Sequence, residues 1–153
     1  MKVVIQKVKN ASVDVEGKEY ASIREGFVLL VGFEEGDSFE DVEKAADKIS
    51  KMRLFEDEDG KMNHSLSDVN GEILSISQFT LAADVRKGNR PSFTDAMDAK
   101  IADEYFNQFN RLLEGKGLAV QTGVFQTHMN VHLNNDGPVT ILLKVKDGKV
   151  IKI

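Results

Sequence analysis

The 153-residue chain contains no cysteine and no tryptophan, and it has only two prolines. Without cysteine the chain has no disulfide, no thiolate nucleophile and no cysteine-based zinc site, so it needs no oxidising compartment. No apolar run approaches the ~20 residues that span a bilayer, and the run at residues 3–5 is too short for a signal peptide. We therefore expect a cytoplasmic protein without a membrane-spanning segment.

Basic side chains are outnumbered, with 20 Lys and Arg against 25 Asp and Glu and a net charge of −5. This balance excludes a uniform positive coat for nucleic acid or for an anionic membrane. Residues 34–60 alone hold 11 acidic and 4 basic side chains, so the acidity is local. Basic side chains gather in two later segments and remain available for a few phosphate contacts. They are Arg86, Lys87 and Arg90, and Lys144, Lys146, Lys149 and Lys152.

The apolar pattern predicts one α+β domain over residues 1–153, in which strands outnumber two main helices. Strand-like alternation marks the first third, at Val3 with Ile5, Val13 with Val15, and the run 27–31. Helical spacing then predicts a helix over about 39–53 behind a Ser38 cap, and a second from Met97 to Leu113 behind Thr94. Further strands are predicted at 118–120, 129–133, 139–145 and 150–151.

The standard templates for metal, nucleotide and nucleophile sites are missing. The chain has three histidines, and His128 and His132 would share a strand face about 13 Å apart, too far for one metal ion. His64 is isolated from both in sequence. There is no Gly-x-Ser-x-Gly elbow, no P-loop and no Gly-x-Gly-x-x-Gly motif. We expect neither a metal site nor a cofactor.

One polar cluster lies within an apolar, strand-like run at residues 73–81. It reads Ser77-Gln78-Phe79-Thr80-Leu81 and would bury two hydroxyls and an amide if the strand continues through it. Each unpaired group would cost roughly 1 to 3 kcal/mol, so each needs a structural or a substrate partner.

A second polar cluster, Asn134 to Thr140, separates two predicted strands. Its Asn, Asp, Gly and Pro residues are the usual formers of a plain turn. The Gly137-Pro138 bond is also one where a cis peptide costs only about 0.5 to 1 kcal/mol, so the pair would serve equally as a rigid wall with exposed carbonyls.

Together the two clusters resemble the signature motifs of the D-aminoacyl-tRNA deacylases, which match Ser77 to Leu81 and Asn135 to Thr140 in this order and spacing. The likeness runs from residue 1 to about 145. Three further segments share it: Val4-Ile5-Gln6 with Ala11-Ser12-Val13, Gly60 to Asn63, and Lys87 to Phe93. Relatives commonly have arginine where Lys7 stands, a residue thought to brace the Gly-Pro loop. Lysine keeps the charge but lacks the guanidinium fork.

The resemblance implies a homodimer with a β-barrel-like body, flanking helices and a site at the subunit interface. Gly137 and Pro138 would form a cis dipeptide that enters the partner's pocket, where their carbonyls leave no room for an L side chain. A D residue would point its side chain away, and glycine would pass the same filter. The implied substrates are therefore D-aminoacyl-tRNA and, secondarily, glycyl-tRNA.

The implied reaction is hydrolysis of the ester between the amino acid and the terminal ribose of tRNA. Backbone N–H groups at Phe79 and Thr80 would hold the carbonyl oxygen as its charge develops. Ser77 and Gln78 would position the substrate, whose own 2′-hydroxyl assists water attack. We favour this route over attack by Thr80, because the motif contains no adjacent base to activate that hydroxyl.

Phe125 and Met129 are candidate contacts for the terminal adenosine, since stacking and soft apolar packing suit a splayed-out base. As alternate residues near a strand they would equally be core side chains. Two other functions remain open beside the hydrolase. A non-catalytic dimeric module would bind tRNA ends or D-amino acids without turnover, and a threonine-dependent amidase or esterase would cleave free D-amino-acid esters.

Overall fold

A computed structural model describes all 153 residues. A seven-stranded sheet curls into a half-barrel, and two helices cover one of its faces. In chain order the elements are β1 (Lys2–Val15), β2 (Lys18–Ile23), β3 (Gly26–Gly32), α1 (Phe39–Lys51), β4 (Phe55–Glu56), β5 (Met62–His64), β6 (Glu72–Ser77), a 3-10 helix (Phe79–Ala82), α2 (Ala99–Gly115), β7 (Ala119–Thr122), β8 (Met129–Lys146) and β9 (Lys149–Ile151). The sheet order is β7-β6-β3-β1-β8-β9, with β2 paired to β1.

The long strand β1 organises the sheet because it pairs with three neighbours. β3 pairs with its first half, β2 with its second half, and β8 along nearly its whole length. The register between β1 and β8 shifts between Gln6 and Ala11. Because strand side chains alternate with period two, such a shift lets two parts of one strand face different cores.

The fold has two apolar cores, one on each side of the sheet. The larger lies between the sheet and the helices and includes Ile5, Phe27, Ile49 and Phe109. The smaller lies inside the curl and includes Val13, Ile23, Leu74 and Ile76. β3 and β6 pair in parallel and are buried on both faces, which explains the unbroken apolar run at 27–31. The C-terminal ends of these two strands open toward the site described below.

The predicted α+β class and the two-helix, strand-rich body are confirmed. The first predicted helix occurs at Phe39–Lys51, within two residues of its predicted end. The second begins at Ala99 rather than behind Thr94, and Met97 precedes it. The carboxylate of Asp98 accepts hydrogen bonds from the N–H groups of Lys100 and Ile101, at 3.1 and 3.3 Å, so the helix starts there.

The strand predictions for the first third were partly wrong. Val3 with Ile5 and Val13 with Val15 belong to a single strand, β1. The strand β2 was missed, since its exposed Lys18 and Glu19 obscure the alternation that begins only at Ala21. Neither helix has the length and apolar composition needed to cross a membrane.

Candidate active site

The first polar cluster lies at the end of β6 and not inside it. The Gln78 N–H donates to the Val31 carbonyl at 2.7 Å, and the chain then turns into the 3-10 helix Phe79–Ala82. The prediction of a strand through residue 81 was therefore wrong after Ser77. Because the polar side chains stand at a strand end, where they are partly exposed, the sheet avoids the cost of burying them.

Gly32, at the end of β3, allows this turn to approach the sheet. A Cβ atom at position 32 would lie 2.8 Å from the Leu81 Cβ and 2.9 Å from the Gln78 carbonyl oxygen. Ordinary contacts begin near 3.4 Å, so only glycine accommodates the turn as it stands. The sequence analysis assigned Gly32 no role, although a glycine closing a buried strand is a signal of close backbone approach.

The turn leaves backbone donors open beside the polar side chains. Phe79 and Thr80 begin the 3-10 helix, where N–H groups have no partner within the helix, and both residues are exposed. The Gln78 side-chain amide donates a hydrogen bond to the Thr80 hydroxyl oxygen. An amide is not a base, so nothing in hydrogen-bond contact with the hydroxyl would activate it as a nucleophile.

A cleft of about 480 Å³ opens next to the turn. Ser77, Gln78 and Phe79 line one side, and Phe125 and Met129 line another, so the structure brings these five predicted residues together. The first turn of α2 and the residues just before it form a further wall that the sequence analysis missed. That wall consists of Ala96, Met97, Ala99 and Ala102. The cleft is largely apolar, as small-molecule and base-binding sites usually are.

Gly137 and Pro138 lie away from this cleft. They are exposed and belong to β8, which runs through the second polar cluster without reversing, so the prediction of a turn between two strands was wrong. Asn135 is paired with Val8 and Thr140 with Gln6, and the residues between them bulge out of the ladder. The Gly137-Pro138 peptide bond is cis.

Asn135 holds both ends of this bulge. Its side-chain amide donates to the carbonyls of Lys7 and Val139, each at 3.0 Å. Its side-chain oxygen accepts a hydrogen bond from the Thr140 hydroxyl at 3.3 Å. Gly137 has a φ of 121°, a conformation that L side chains rarely adopt. The exposed pair is thus anchored to β1 and to its own strand.

Comparison with known protein families gives a match that spans both polar clusters. Residues 4–144 match the family model described as D-Tyr-tRNA(Tyr) deacylase. The chain belongs to the D-Tyr-tRNA(Tyr) deacylase family. It is therefore an enzyme, a hydrolase of ester bonds.

Relatives cover almost the whole chain. A D-aminoacyl-tRNA deacylase of Lactobacillus acidophilus is 57% identical over 143 residues, which are 94% of this chain and 99% of the relative. A D-aminoacyl-tRNA deacylase of Macrococcus caseolyticus is 52% identical over 151 residues, covering 99% of this chain and all of the relative.

Solved structures share the fold. The c-Myc DNA Unwinding Element Binding Protein superposes with a TM-score of 0.89 at 41% identity, over 95% of this chain and 99% of that one. A probable eukaryotic D-amino acid tRNA deacylase superposes with a TM-score of 0.78 over 92% of this chain and 97% of its own. At 17% identity the second comparison concerns the fold alone.

Lys7, which stands where the sequence analysis expects relatives to have arginine, is buried beneath the bulge. Its Nζ lies 3.6 Å from the Asp136 carboxylate and 5.5 Å from the centroid of the Phe55 ring. The ammonium therefore reaches the residue next to Gly137 through one charge contact, where a guanidinium could form a two-bonded fork.

Two of the three histidines, His64 and His132, do not line the cleft. The His132 Nε2 is 2.9 Å from Asp14, and the His64 Nδ1 is 3.8 Å from Asp68. His128 is exposed at the cleft margin. No group of three or more His, Asp or Glu side chains lies close enough together to hold a metal ion.

Proposed function

We propose that the protein hydrolyses the ester bond of D-aminoacyl-tRNA, releasing the free D-amino acid and tRNA. The observation that carries this proposal is the turn after Ser77, which presents open N–H groups of Phe79 and Thr80 beside an apolar cleft. Family membership supports the same reaction. The activity would proofread the chirality of aminoacyl-tRNA.

Catalysis in this proposal is mainly electrostatic. The two open N–H groups bind the ester carbonyl oxygen as it becomes negative, a role that contributes about 2.7 to 4 kcal/mol per donor in other acyl-transfer sites. Ser77 and Gln78 position the ester. The neighbouring 2′-hydroxyl of the substrate ribose assists attack by water, since the Thr80 hydroxyl is bonded only to an amide.

The opposite wall of the cleft receives the terminal adenosine. Phe125 and Met129 are both half-buried and face the same cavity as Gln78. An aromatic ring and a thioether suit an unstacked base, which gains from stacking and from adaptable apolar packing. This assignment places the ester at the turn and the base against β8.

Chirality is selected by a second copy of the chain. Followed along the curled sheet by strand spacings, the exposed Gly137-Pro138 pair lies about 14 Å across it and about 16 Å along it from Gln78 of its own subunit. A homodimer would bring the pair of one subunit into the cleft of the other. An apolar row of Leu30, Val4 and Leu142 crosses three strands on one face, and Leu142 is 59% exposed, which supports such a contact.

The inserted carbonyls of Gly137 and Pro138 exclude an L side chain by a clash, whereas a D side chain points away from them. This filter recognises no particular side chain, so it accepts many D-amino acids. Glycine lacks the excluded group, and glycyl-tRNA is therefore a second substrate.

The test compares release of amino acid from D-Tyr-tRNA, L-Tyr-tRNA and Gly-tRNA. We expect rapid hydrolysis of the D ester and the glycyl ester, negligible hydrolysis of the L ester, and a solution mass of twice the chain mass. Equal rates for the D and L esters would refute chiral selection. Binding of D-Tyr-tRNA without turnover would instead indicate the non-catalytic binding module.

A Thr80→Ala variant tests the route of attack. Because the hydroxyl supplies no nucleophile in this mechanism, we expect the variant to retain most of its kcat on D-Tyr-tRNA. Replacing the substrate's 2′-hydroxyl with hydrogen should abolish turnover by the unaltered protein. An acyl group trapped on Thr80 would overturn the mechanism and favour a threonine-dependent esterase.

A further inference from the structure

A short hairpin, residues 84–92, projects from the margin of the cleft. Asp84 and Ser92 close it through two backbone hydrogen bonds of 2.8 and 2.9 Å. The chain enters the hairpin directly after the 3-10 helix and leaves it toward the α2 wall of the cleft. Both ends of the hairpin therefore continue into elements that line the cleft, and these two connections fix its position beside the cleft.

An aromatic contact strengthens the attachment. Phe93, just after the hairpin, packs edge-to-face on Phe79 with ring centroids 5.1 Å apart and an interplanar angle of 64°. Phe79 belongs to the turn that carries the open N–H groups. This contact joins the base of the hairpin to the turn.

Two of the three basic side chains in the hairpin are free to meet a ligand. The Arg86 guanidinium makes two hydrogen bonds to Asp84, at 2.9 and 2.7 Å, and it holds the pKa of that carboxyl at about 2. Its charge is neutralised within the hairpin. Lys87 and Arg90, on either side of the tip, are exposed and form no ion pair in the chain.

We propose that Lys87 and Arg90 bind backbone phosphates of the single-stranded 3′ end of the RNA substrate, upstream of the esterified nucleotide. The inference rests on the proposed function, because an adenosine in the cleft places the preceding phosphates at its mouth. Residues 85–91 of the hairpin are all exposed and none of them lines the cleft, so the charges of Lys87 and Arg90 stand outside it. Phosphates are the expected ligands of unpaired basic side chains beside a nucleic-acid site.

Because the whole chain is negatively charged, the loss of two phosphate contacts should be measurable in its affinity for RNA. A net charge of −5 repels RNA, so affinity must come from a small number of local cations. Each phosphate neutralised on single-stranded RNA contributes about 0.7 to the slope of log affinity against log salt. Two contacts contribute about 1.4, which corresponds to about a sevenfold change between about 50 and about 200 mM salt.

The experiment compares a Lys87→Ala/Arg90→Ala variant with a Lys44→Ala/Lys48→Ala control, which removes the same charge from the exposed face of α1. Hydrolysis is measured with D-Tyr-tRNA and with the D-tyrosyl ester of adenosine, which has no phosphates. Binding of uncharged tRNA is measured over the same salt range, so that the contact is tested without turnover.

We expect the hairpin variant to raise KM for D-Tyr-tRNA without changing kcat, and to lose about 1.4 from the salt slope of tRNA binding. Its activity on the adenosine ester and all properties of the control should match the original protein. Three results would each overturn the proposal. They are an unchanged salt slope of tRNA binding, an equal loss of activity on the adenosine ester, and a change of solution mass showing that the hairpin binds a second copy of the chain. If the original protein binds tRNA through the hairpin but hydrolyses no D ester, the phosphate contact stands and the proposed function fails.

Discussion

Gly32 does not itself contact the substrate in the proposed mechanism, yet replacing it with alanine should impair catalysis by displacing the turn that carries the open N–H groups. The new Cβ would lie 2.8 Å from the Leu81 Cβ and 2.9 Å from the Gln78 carbonyl oxygen. To restore an ordinary contact of 3.4 Å, the turn must move by about 0.6 Å. Since a misplacement of about 1 Å in a catalytic group can cost about a hundredfold, we expect kcat on D-Tyr-tRNA to fall by about 10-fold to 100-fold.

The same change should lower the free energy of unfolding by about 1 to 3 kcal/mol, the usual cost of added volume in a packed region. The control is Gly115→Ala at the end of α2, where an added Cβ meets no atom within 4 Å. Thermal denaturation establishes that both variants are folded, and single-turnover hydrolysis then measures the chemical step. A folded Gly32→Ala protein with the original kcat would refute the idea that this close approach positions the open N–H groups.

Two further substitutions test contacts that the structure alone shows. Asp37→Asn should lower the free energy of unfolding by about 3 to 5 kcal/mol in chemical denaturation. The amino group of Met1 is buried 2.7 Å from the Asp37 carboxylate and would lose its counter-charge. The control, Glu43→Gln on the exposed side of α1, should lower it by less than about 0.5 kcal/mol. Asn135→Ala should release the Gly137-Pro138 bulge, because it removes the two hydrogen bonds that hold the ends of the bulge. The ratio of the D-Tyr-tRNA to the L-Tyr-tRNA hydrolysis rate should then fall by about tenfold, equivalent to about 1.4 kcal/mol. An unchanged ratio would show that Asn135 does not position the pair.

Features with a local cause were predictable from the sequence. The first helix follows from apolar residues at helical spacing after Ser38, and it ends within two residues of the prediction. The motif around Gln78 could be recognised because the chemistry of a site restricts residue types over a short span. The start of the second helix was misplaced because Thr94 and Asp98 are both good caps, and only the backbone path selects Asp98.

The limits of the strands were less predictable because they depend on partners distant in sequence. β6 ends at Ser77 because its pairing with β3 ends at Val31, whose carbonyl accepts the Gln78 N–H, and nothing within residues 73–81 encodes that end. The segment from Asn134 to Thr140 has the composition of a turn. The chain nevertheless continues in one direction through it, because β8 pairs with β1 on both sides of the segment.

Residue types and their order were enough to determine the family, the fold class and the two motifs to which we assign the proposed chemistry. Only the tertiary structure decided where those motifs stand: one lies at the end of β6 beside Phe125 and Met129, and Gly137-Pro138 lies outside the cleft of its own chain. The physical reason is that a motif is a property of neighbouring residues, whereas a site is formed by strand pairings between residues that lie far apart along the chain.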